Sequence, residues 1–253
     1  MNSLKNFFKM YKVEQKIFFR SADVIIFNLA MPLAVFILIA VTGGSKNAGE
    51  LSYAGSSLTF IQSAYAALTT VGICCSAFMS IPITIVESRS KGVLRRIYCS
   101  PCSPFRLLAS DVIASGVMAA ISTLIVTVAA VLFFGYTMKG NIFIYIITWF
   151  LTMAAMFSIG LLTASLCRTA KSLNIATSLL YFPMLLFSGA TVPAEVFPNG
   201  LRFFSDILPL GIGINLLKSV SMGVYDGTAI PAVFLCAVTV VCTVIAVKTF
   251  RWE

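Results

Sequence analysis

The sequence predicts an all-α integral membrane protein, with six transmembrane helices in a single domain that covers residues 1–253. Of its 253 residues, 59% are hydrophobic and only 11% are charged, against about 25% charged residues in a soluble domain. Six apolar stretches are also long enough to cross roughly 30 Å of hydrocarbon as helices. They lie near 24–41, 54–86, 107–135, 142–167, 172–190 and 229–247.

Helices are predicted rather than strands because the apolar stretches are continuous and do not alternate with polar residues. Lipid offers the backbone no hydrogen-bond partner, so an open strand edge cannot lie in the hydrocarbon. The second stretch is longer than a bilayer needs. We therefore expect this span to tilt or to continue into the cytoplasm.

The distribution of lysine and arginine predicts the orientation. The N-terminal segment, the connections after spans two and four and the C-terminal tail together hold 14 of the 18 basic residues. Short cytoplasmic segments carry this excess in membrane proteins, so both termini are predicted to be cytoplasmic. The same asymmetry explains the net charge of +9 without a nucleic-acid partner.

Residues 1–22 are predicted to form an interfacial amphipathic helix. At 100° per residue, one face is basic and the opposite face is aromatic and apolar, which suits a helix lying on an anionic leaflet. The basic face holds Lys5, Lys9, Lys12, Lys16 and Arg20, and the other face holds Leu4, Phe7, Phe8, Tyr11 and Phe18. The alternative is a plain positive-inside anchor.

Residues 191–228 form the longest outer connection, and it is too apolar for an ordinary loop. Pro193, Pro198 and Pro209 interrupt it. Irregular backbone at membrane depth is tolerated only against protein or a wet cavity. We therefore expect an outer re-entrant segment before span six.

Sequence motifs for catalysis or cofactor binding are absent. The chain has no histidine, no G-x-x-x-x-G-K-[ST] phosphate loop and no acidic cluster within a span, so we expect no catalytic residue, no metal site and no cofactor bound by this chain. Cys99 and Cys102 form a lone C-x-x-C, which we interpret as two reduced cytosolic thiols.

Residues 87–104 are the most informative connection. Helix formers and charges run from Ser88 to Tyr98, and Pro101 and Pro104 then stop the pattern. This composition predicts a short cytosolic helix that could transmit force from a soluble partner. A solvated basic loop that only sets the topology is the alternative.

This connection resembles the signature of type 2 ATP-binding-cassette (ABC-2) export permeases. The matching positions are Glu87, the core Gly92-Val-Leu-Arg-Arg-Ile97, Pro101 and Arg106. Phe182–Pro193 resembles the end of the family's fifth span, and the stretch after Leu208-Pro-Leu resembles its outer re-entrant segment. One position departs from the pattern, because the family often has lysine where Asp111 stands.

The resemblance implies that two permease chains form a homodimer or heterodimer, and that each docks a separate P-loop ATPase, which binds ATP and Mg. The chain itself would not be an enzyme. Carried over, the ATPase-coupling residues are Glu87, Arg89, Lys91, Gly92, Leu94, Arg95 and Arg96.

Spans two and five face the partner permease in this family, and both are rich in polar residues here. Polar side chains at membrane depth should face protein or a cavity. The candidate substrate-pathway residues are Ser57, Gln62, Tyr65, Thr69, Asn174, Thr177 and Tyr181. The alternative is that these side chains bond to their own helices and only pack.

The expected function is therefore that of a permease subunit of an ATP-driven exporter in the bacterial cytoplasmic membrane. Its substrate would be a drug, a lipid-like molecule or a peptide. An ion-coupled secondary transporter or channel without an ATPase is the alternative, and it would need charges or broken helices at a central site.

Overall fold

The computed structural model describes residues 11–12, 15–16, 26–43, 51–53, 56–58, 60–90, 92, 104–167, 169–191 and 197–250, and these are almost entirely helical. The helices are α1 (Met31–Gly43), α2 (Phe60–Cys75), α3 (Ile81–Ser90), α4 (Pro104–Phe134), α5 (Ile142–Leu166), α6 (Ala170–Phe187), α7 (Asn199–Ile207), α8 (Pro209–Met222) and α9 (Ala229–Thr249). Two π-helical segments, Ile26–Ala30 and Ser76–Ser80, lead into α1 and α3.

The all-α membrane architecture is confirmed. Within the described residues, five helical segments are long and apolar enough to cross a membrane, and a sixth is added if the bent pair α7–α8 counts as one span. The described apolar part of the first predicted span, Asn28–Ile37, is shorter. Helices α4, α5, α6 and α9 match the predicted spans three to six within a few residues.

Span two begins later than the sequence predicts. The prediction started it at residue 54, whereas α2 begins at Phe60. Before it, β1 (Leu51–Tyr53) and β2 (Ser56–Leu58) pair antiparallel, with Leu51 opposite Leu58. Only two residues separate these strands in the sequence, and one of them is Gly55, which is typical of a tight hairpin turn. Hydropathy alone could not separate this hairpin from the helix that follows.

Span two lies at the centre of the helical bundle. It comprises α2, Ser76–Ser80 and α3, and it packs against α1, α4, α5, α6 and α8. In its most apolar window 83% of residues are buried, against 11% in α9, which packs mainly on α5. Its small residues allow this close packing of helices from every side.

Gly160 permits the closest approach between α5 and span two. A Cβ at this position would lie 2.1 Å from the carbonyl oxygen of Ala77, a distance that atoms cannot adopt. The helix backbone of α5 therefore contacts the π-helical segment directly, as small residues permit between membrane helices.

The pair α7–α8 is bent by 87°. Leu208 adopts an extended conformation between the two helices, and Pro209 opens α8, a position where the missing N–H of proline costs nothing. A Cβ on Gly211 would lie 2.0 Å from the carbonyl oxygen of Ser205, so the tight bend needs glycine there. The structure thus has a sharply broken helix where the sequence predicts a re-entrant segment.

Helix α8 is inserted among the spans. Its end accepts hydrogen bonds from the N–H groups of Lys139 and Gly140 at the carbonyl oxygen of Ser221, and Gly213 packs on Thr152. Thr152 lies ten residues into α5, which corresponds to roughly 15 Å of depth. Helix α8 therefore reaches about half-way across the hydrocarbon.

The predicted interfacial helix at 1–22 lies largely outside the described residues. Among its described residues, all helical, Lys12 and Lys16 are exposed, whereas Tyr11 and Gln15 are half-buried. Gln15 Nε2 donates to the carbonyl oxygen of Ala114 at 3.4 Å. This part of the segment packs on α4 with its lysines directed away from the protein.

Candidate functional site

Tyr65 and Thr69, two of the predicted pathway residues, lie on the face of α2 that is directed toward α4 and α5. The hydroxyl of Tyr65 shares a hydrogen bond of 3.0 Å with that of Thr127 on α4. The hydroxyl of Thr69 shares one of 2.9 Å with that of Tyr145 on α5. Buried hydroxyls need such partners, and here each pair joins two spans.

Tyr136, in the connection between α4 and α5, completes this cluster. Its ring stacks on that of Tyr65 with centroids 4.0 Å apart, and the ring of Tyr145 lies 6.0 Å from Tyr65 on centroids. Burial raises the pKa of Tyr136 to about 12, so its phenol is neutral at physiological pH. We call Tyr65, Tyr136 and Tyr145 the tyrosine cluster.

The tyrosine cluster lines one end of a cleft of about 500 Å³ between α4 and α5. Trp149 lies deeper on the same wall, and its Nε1 has no hydrogen-bond acceptor in the described part of the chain. Apart from the paired hydroxyls, the walls are aliphatic and aromatic. The cleft therefore suits an apolar occupant.

The pathway residues of span five lie elsewhere. The hydroxyl of Thr177 donates to the carbonyl oxygen of Leu173 on its own helix, at 2.9 Å. The Tyr181 hydroxyl lies 3.3 Å from Cys75 Sγ on α2 and is buried. Asn174 is exposed and lines a shallow depression of about 650 Å³ together with Ser178 and Phe182.

The structure therefore does not gather the predicted pathway residues at one site within a single chain. Tyr65 and Thr69 belong to the α4–α5 cleft, Tyr181 to the contact between α2 and α6, and Asn174 to the outer surface of α6. Ser57 lies in β2 and Gln62 in the first turn of α2. Their role in substrate passage stays a prediction.

Sequence reasoning missed Tyr136, Tyr145 and Trp149. A signal for two of them was present, because Tyr145 and Trp149 are four residues apart and so share a helix face. Tyrosine and tryptophan near the end of a span are also typical of the membrane interface. Which neighbours they meet could not be read from their spacing.

A second polar contact, also missed, joins the two π-helical segments. Asn28 Nδ2 donates to the Ser80 hydroxyl at 2.9 Å, and the Ser76 hydroxyl donates to Asn28 Oδ1 at 2.5 Å. All three residues are buried. The asparagine amide thereby connects the start of the first span to the middle of span two.

The end of α3 carries the described part of the predicted coupling surface. Glu87 is exposed. Arg89 Nη1 donates to the carbonyl oxygen of Cys167, which caps α5, at 3.1 Å, and its guanidinium carbon lies 5.1 Å from the ring centroid of Phe250, just after α9. Arg89 thus connects the ends of three helices through a hydrogen bond and a cation–π contact.

Gly92 has a φ of +68° and follows α3 closely. Its N–H donates to the carbonyl oxygen of Arg89 at 3.0 Å, and a left-handed glycine at this place is a common helix terminator. The helix of span two therefore ends before the rest of the predicted coupling residues. Those residues, Lys91, Leu94, Arg95 and Arg96, lie outside the described part of the chain.

Two charged residues are buried within the helical bundle. Asp111 on α4 and Lys218 on α8 are 1% and 2% exposed. Both stand out because an ionisable group inside a membrane protein is costly and usually has a role. Lys218 lies within the predicted outer re-entrant segment 191–228, on the buried α8.

Comparison with known proteins agrees with this architecture. The family described as ABC-2 family transporter protein matches residues 45–248, which cover the helices from α2 to α9 almost completely. The chain belongs to this family and is a multi-pass membrane permease of an ABC transporter. Its place in such a transporter is that of the transport membrane subunit.

Two curated relatives carry the same description, "Inner membrane transport permease YhhJ", from Escherichia coli (strain K12) and from Shigella flexneri. Each is 22% identical over 139 residues, which are 54% of this chain and 37% of the relative. The match thus spans little more than a third of their length. No solved structure matches the chain.

Proposed function

We propose that this chain forms the translocation pathway of an ATP-driven exporter as a dimer, and that residues 87–104 couple it to a separate ATPase. The observation that carries the proposal is the family match over 45–248, which includes the whole of this segment. The relatives' description as inner membrane permeases supports placement in a bacterial cytoplasmic membrane, with both termini cytoplasmic as the basic residues predict.

The contacts of Arg89 support the coupling role. Its hydrogen bond to Cys167 and its contact with Phe250 connect the end of α3 to the ends of α5 and α9. A displacement imposed on residues 87–104 by an ATPase would therefore act on three spans together. ATP and Mg would bind to that partner and not to this chain.

The exposed face of α6 supports the proposed dimer contact. Ile175, Leu179 and Phe182 are each more than half exposed, and they surround Asn174 at the shallow depression. A polar side chain within a span is less favourable against lipid than against protein. A second permease chain, identical or related, would cover Asn174 and leave a pathway suited to a drug, a lipid-like molecule or a peptide.

Reversing the charge of two basic residues tests the coupling. The variant Arg95→Glu/Arg96→Glu is expected to lose a P-loop ATPase that co-purifies with the unmodified chain from its native membranes in mild detergent. Charges at an interface guide association and exclude mismatched partners. The matched control is Lys171→Glu/Lys248→Glu, which reverses two exposed basic residues at the ends of α6 and α9.

The control variant is expected to retain the ATPase. If both charge reversals lost the partner equally, residues 95 and 96 would not form the docking surface. If the unmodified chain purified alone, and no ATPase supported nucleotide-dependent transport in vesicles, the exporter proposal would be rejected. Ion-coupled transport would then be measured in the same vesicles.

A further inference from the structure

Helices α4 and α5 are consecutive spans, yet they diverge from each other. Helix α4 packs mainly on α2, whereas α5 packs on α9, α8 and α3. Over the stretches that line the cleft the two helices have no substantial mutual packing, although only residues 135–141 connect them. They meet deeper in the bundle, where Gly116 of α4 lies beside Met153 and Phe157 of α5. Neighbouring spans joined so closely usually pack together, so the cleft between them requires an explanation.

The depth of the cleft equals about one leaflet of a bilayer. Its lining runs from Val131 to Ala120 along α4 and from Ile142 to Phe150 along α5. At 1.5 Å per residue these stretches extend roughly 16 Å and 12 Å. They begin at the end of each span and reach about the middle of the ~30 Å hydrocarbon layer.

The hydroxyls at the floor of the cleft make no polar demand on an occupant. Those of Tyr65 and Thr127 bond to each other, as do those of Thr69 and Tyr145, and the hydroxyl of Thr123 donates to the carbonyl oxygen of Thr69. These hydrogen bonds join neighbouring spans. Apart from the Nε1–H of Trp149, the remaining lining is largely aliphatic and aromatic, which favours a hydrocarbon over a polar solute.

The volume of the cleft suits a lipid chain. About 500 Å³ lies within the range of roughly 300–1,000 Å³ that small molecules occupy in proteins. An acyl chain needs an apolar groove about one leaflet deep, and the cleft has that depth.

The mouth of the cleft offers a positive charge at the level of the headgroups. Met138 and Tyr136 line this end, and Lys139, the next residue after Met138, is exposed. A lysine at the end of a span lies where lipid phosphates lie, and it attracts an anionic headgroup. The charge at the mouth and the apolar cleft behind it match the two parts of an anionic phospholipid.

We propose that the cleft between α4 and α5 binds an acyl chain of an anionic phospholipid, from the leaflet that borders residues 135–141, with Lys139 at its headgroup. This lipid fills the space between the diverging ends of two spans, and it is a membrane component and not the transported compound. The proposal does not depend on the direction of transport or on the ATPase.

Trp149 is a reporter within the cleft. The chain has only two tryptophans, so the variant Trp252→Phe leaves Trp149 as the sole tryptophan, which is excited selectively at wavelengths that tyrosine does not absorb. This full-length variant is reconstituted in phosphatidylcholine vesicles that contain a small fraction of phospholipid brominated on its acyl chains. Brominated phosphatidylglycerol is expected to quench Trp149 more strongly than brominated phosphatidylcholine does. The fitted affinities for the cleft should differ by about fivefold, which is the effect of one lysine near an anionic headgroup.

Three further variants in this background locate the lipid. Lys139→Gln is expected to make the affinities for the two brominated lipids nearly equal. Ala120→Phe places a ring at the deep end of the cleft and is expected to remove most of the quenching. Ala237→Phe is the matched control, because Ala237 is also exposed but lies on α9, away from the cleft. This substitution should leave the quenching of Trp149 unchanged.

Other results would overturn the proposal. If Ala120→Phe and Ala237→Phe gave equal quenching, the bromines would be acting from the general lipid surface. If Trp149 were not quenched at all in the Trp252→Phe variant with an unaltered cleft, another protein segment would cover the cleft. Displacement of the brominated lipid by a transported compound would assign the cleft to the substrate.

Discussion

At the scale of single residues, Asn28 connects the two π-helical segments, whose distortion has the same cause. Each π-helical segment is followed by a proline, Pro32 in one case and Pro82 in the other. Proline has no N–H and crowds the carbonyl four residues earlier, and a wider π-turn relieves that conflict. The two wide turns face each other, and Asn28 bonds both serines of the second one.

Replacing Asn28 by leucine is expected to lower the free energy of unfolding by about 1–3 kcal/mol, because two buried serine hydroxyls lose their partner. The measurement is the thermal stability of the purified chain in detergent. The matched control is Thr239→Val, since the Thr239 hydroxyl bonds only within its own helix, to the carbonyl oxygen of Leu235. Equal stability of the two variants would show that the asparagine contact contributes nothing specific.

At the scale of the elements, α5 and span two are held together by contact between their backbones. The approach occurs at Gly160 and Ala77, where no side chain lies between the helices. Dispersion contacts and weak hydrogen bonds, rather than hydrophobic exclusion of water, hold helices together in lipid. A contact of this kind depends on the absence of a single methyl group.

Gly160→Ala is therefore expected to destabilise the chain by about 1–3 kcal/mol or more, because the added methyl must separate α5 from span two. The same thermal measurement checks it. Gly116→Ala is the control: its Cβ would meet only the flexible Met153 and Phe157 side chains, at 3.7 Å or more. Helix propensity should make that change neutral or stabilising by up to about 1 kcal/mol. If Gly160→Ala left the thermal stability unchanged, that result would contradict the backbone contact between α5 and span two.

At the scale of the whole molecule, burial decreases from the central span two to the peripheral α9. Both α6 and α9 expose large apolar side chains, but the exposed face of α6 also carries the amide of Asn174, whereas the exposed polar residue in the middle of α9 is Thr243. A threonine hydroxyl can bond to its own helix, but an amide has more hydrogen-bonding groups to satisfy. This difference supports the proposed dimer contact on α6.

Single cysteines placed at Ile175, Leu179 and Phe182 on α6, in a background without the native cysteines, test that contact. When the two permease chains are identical, at least one is expected to give a covalent dimer on oxidation in membranes, because a residue close to the twofold axis lies within disulfide distance of its own copy. The controls are cysteines at Val233, Val240 and Val247, which are as exposed on α9. Dimers from α9 alone would move the interface to that helix.

The candidate site shows what the sequence can and cannot indicate about polar groups within the spans. The sequence predicts that such groups face protein or a cavity, and Tyr65 and Thr69 do so. Their role in a substrate pathway stays a prediction. Their hydrogen-bond partners, Thr127 on α4 and Tyr145 on α5, were not predicted. They lie far along the chain, and only the rotation of α4 and α5 about their axes brings them to α2.

The sequence by itself determined the all-α membrane fold, the approximate bounds of its spans and the position of the broken segment before α9. Each of these depends on a local property, either the run of apolar residues that a bilayer demands or the placement of proline and glycine. Only the tertiary structure decided that span two lies at the centre, that α4 and α5 diverge around a cleft and that Arg89 connects three helix ends. Those features depend on which helix faces meet, and in an almost uniformly apolar sequence hydropathy does not distinguish one face from another.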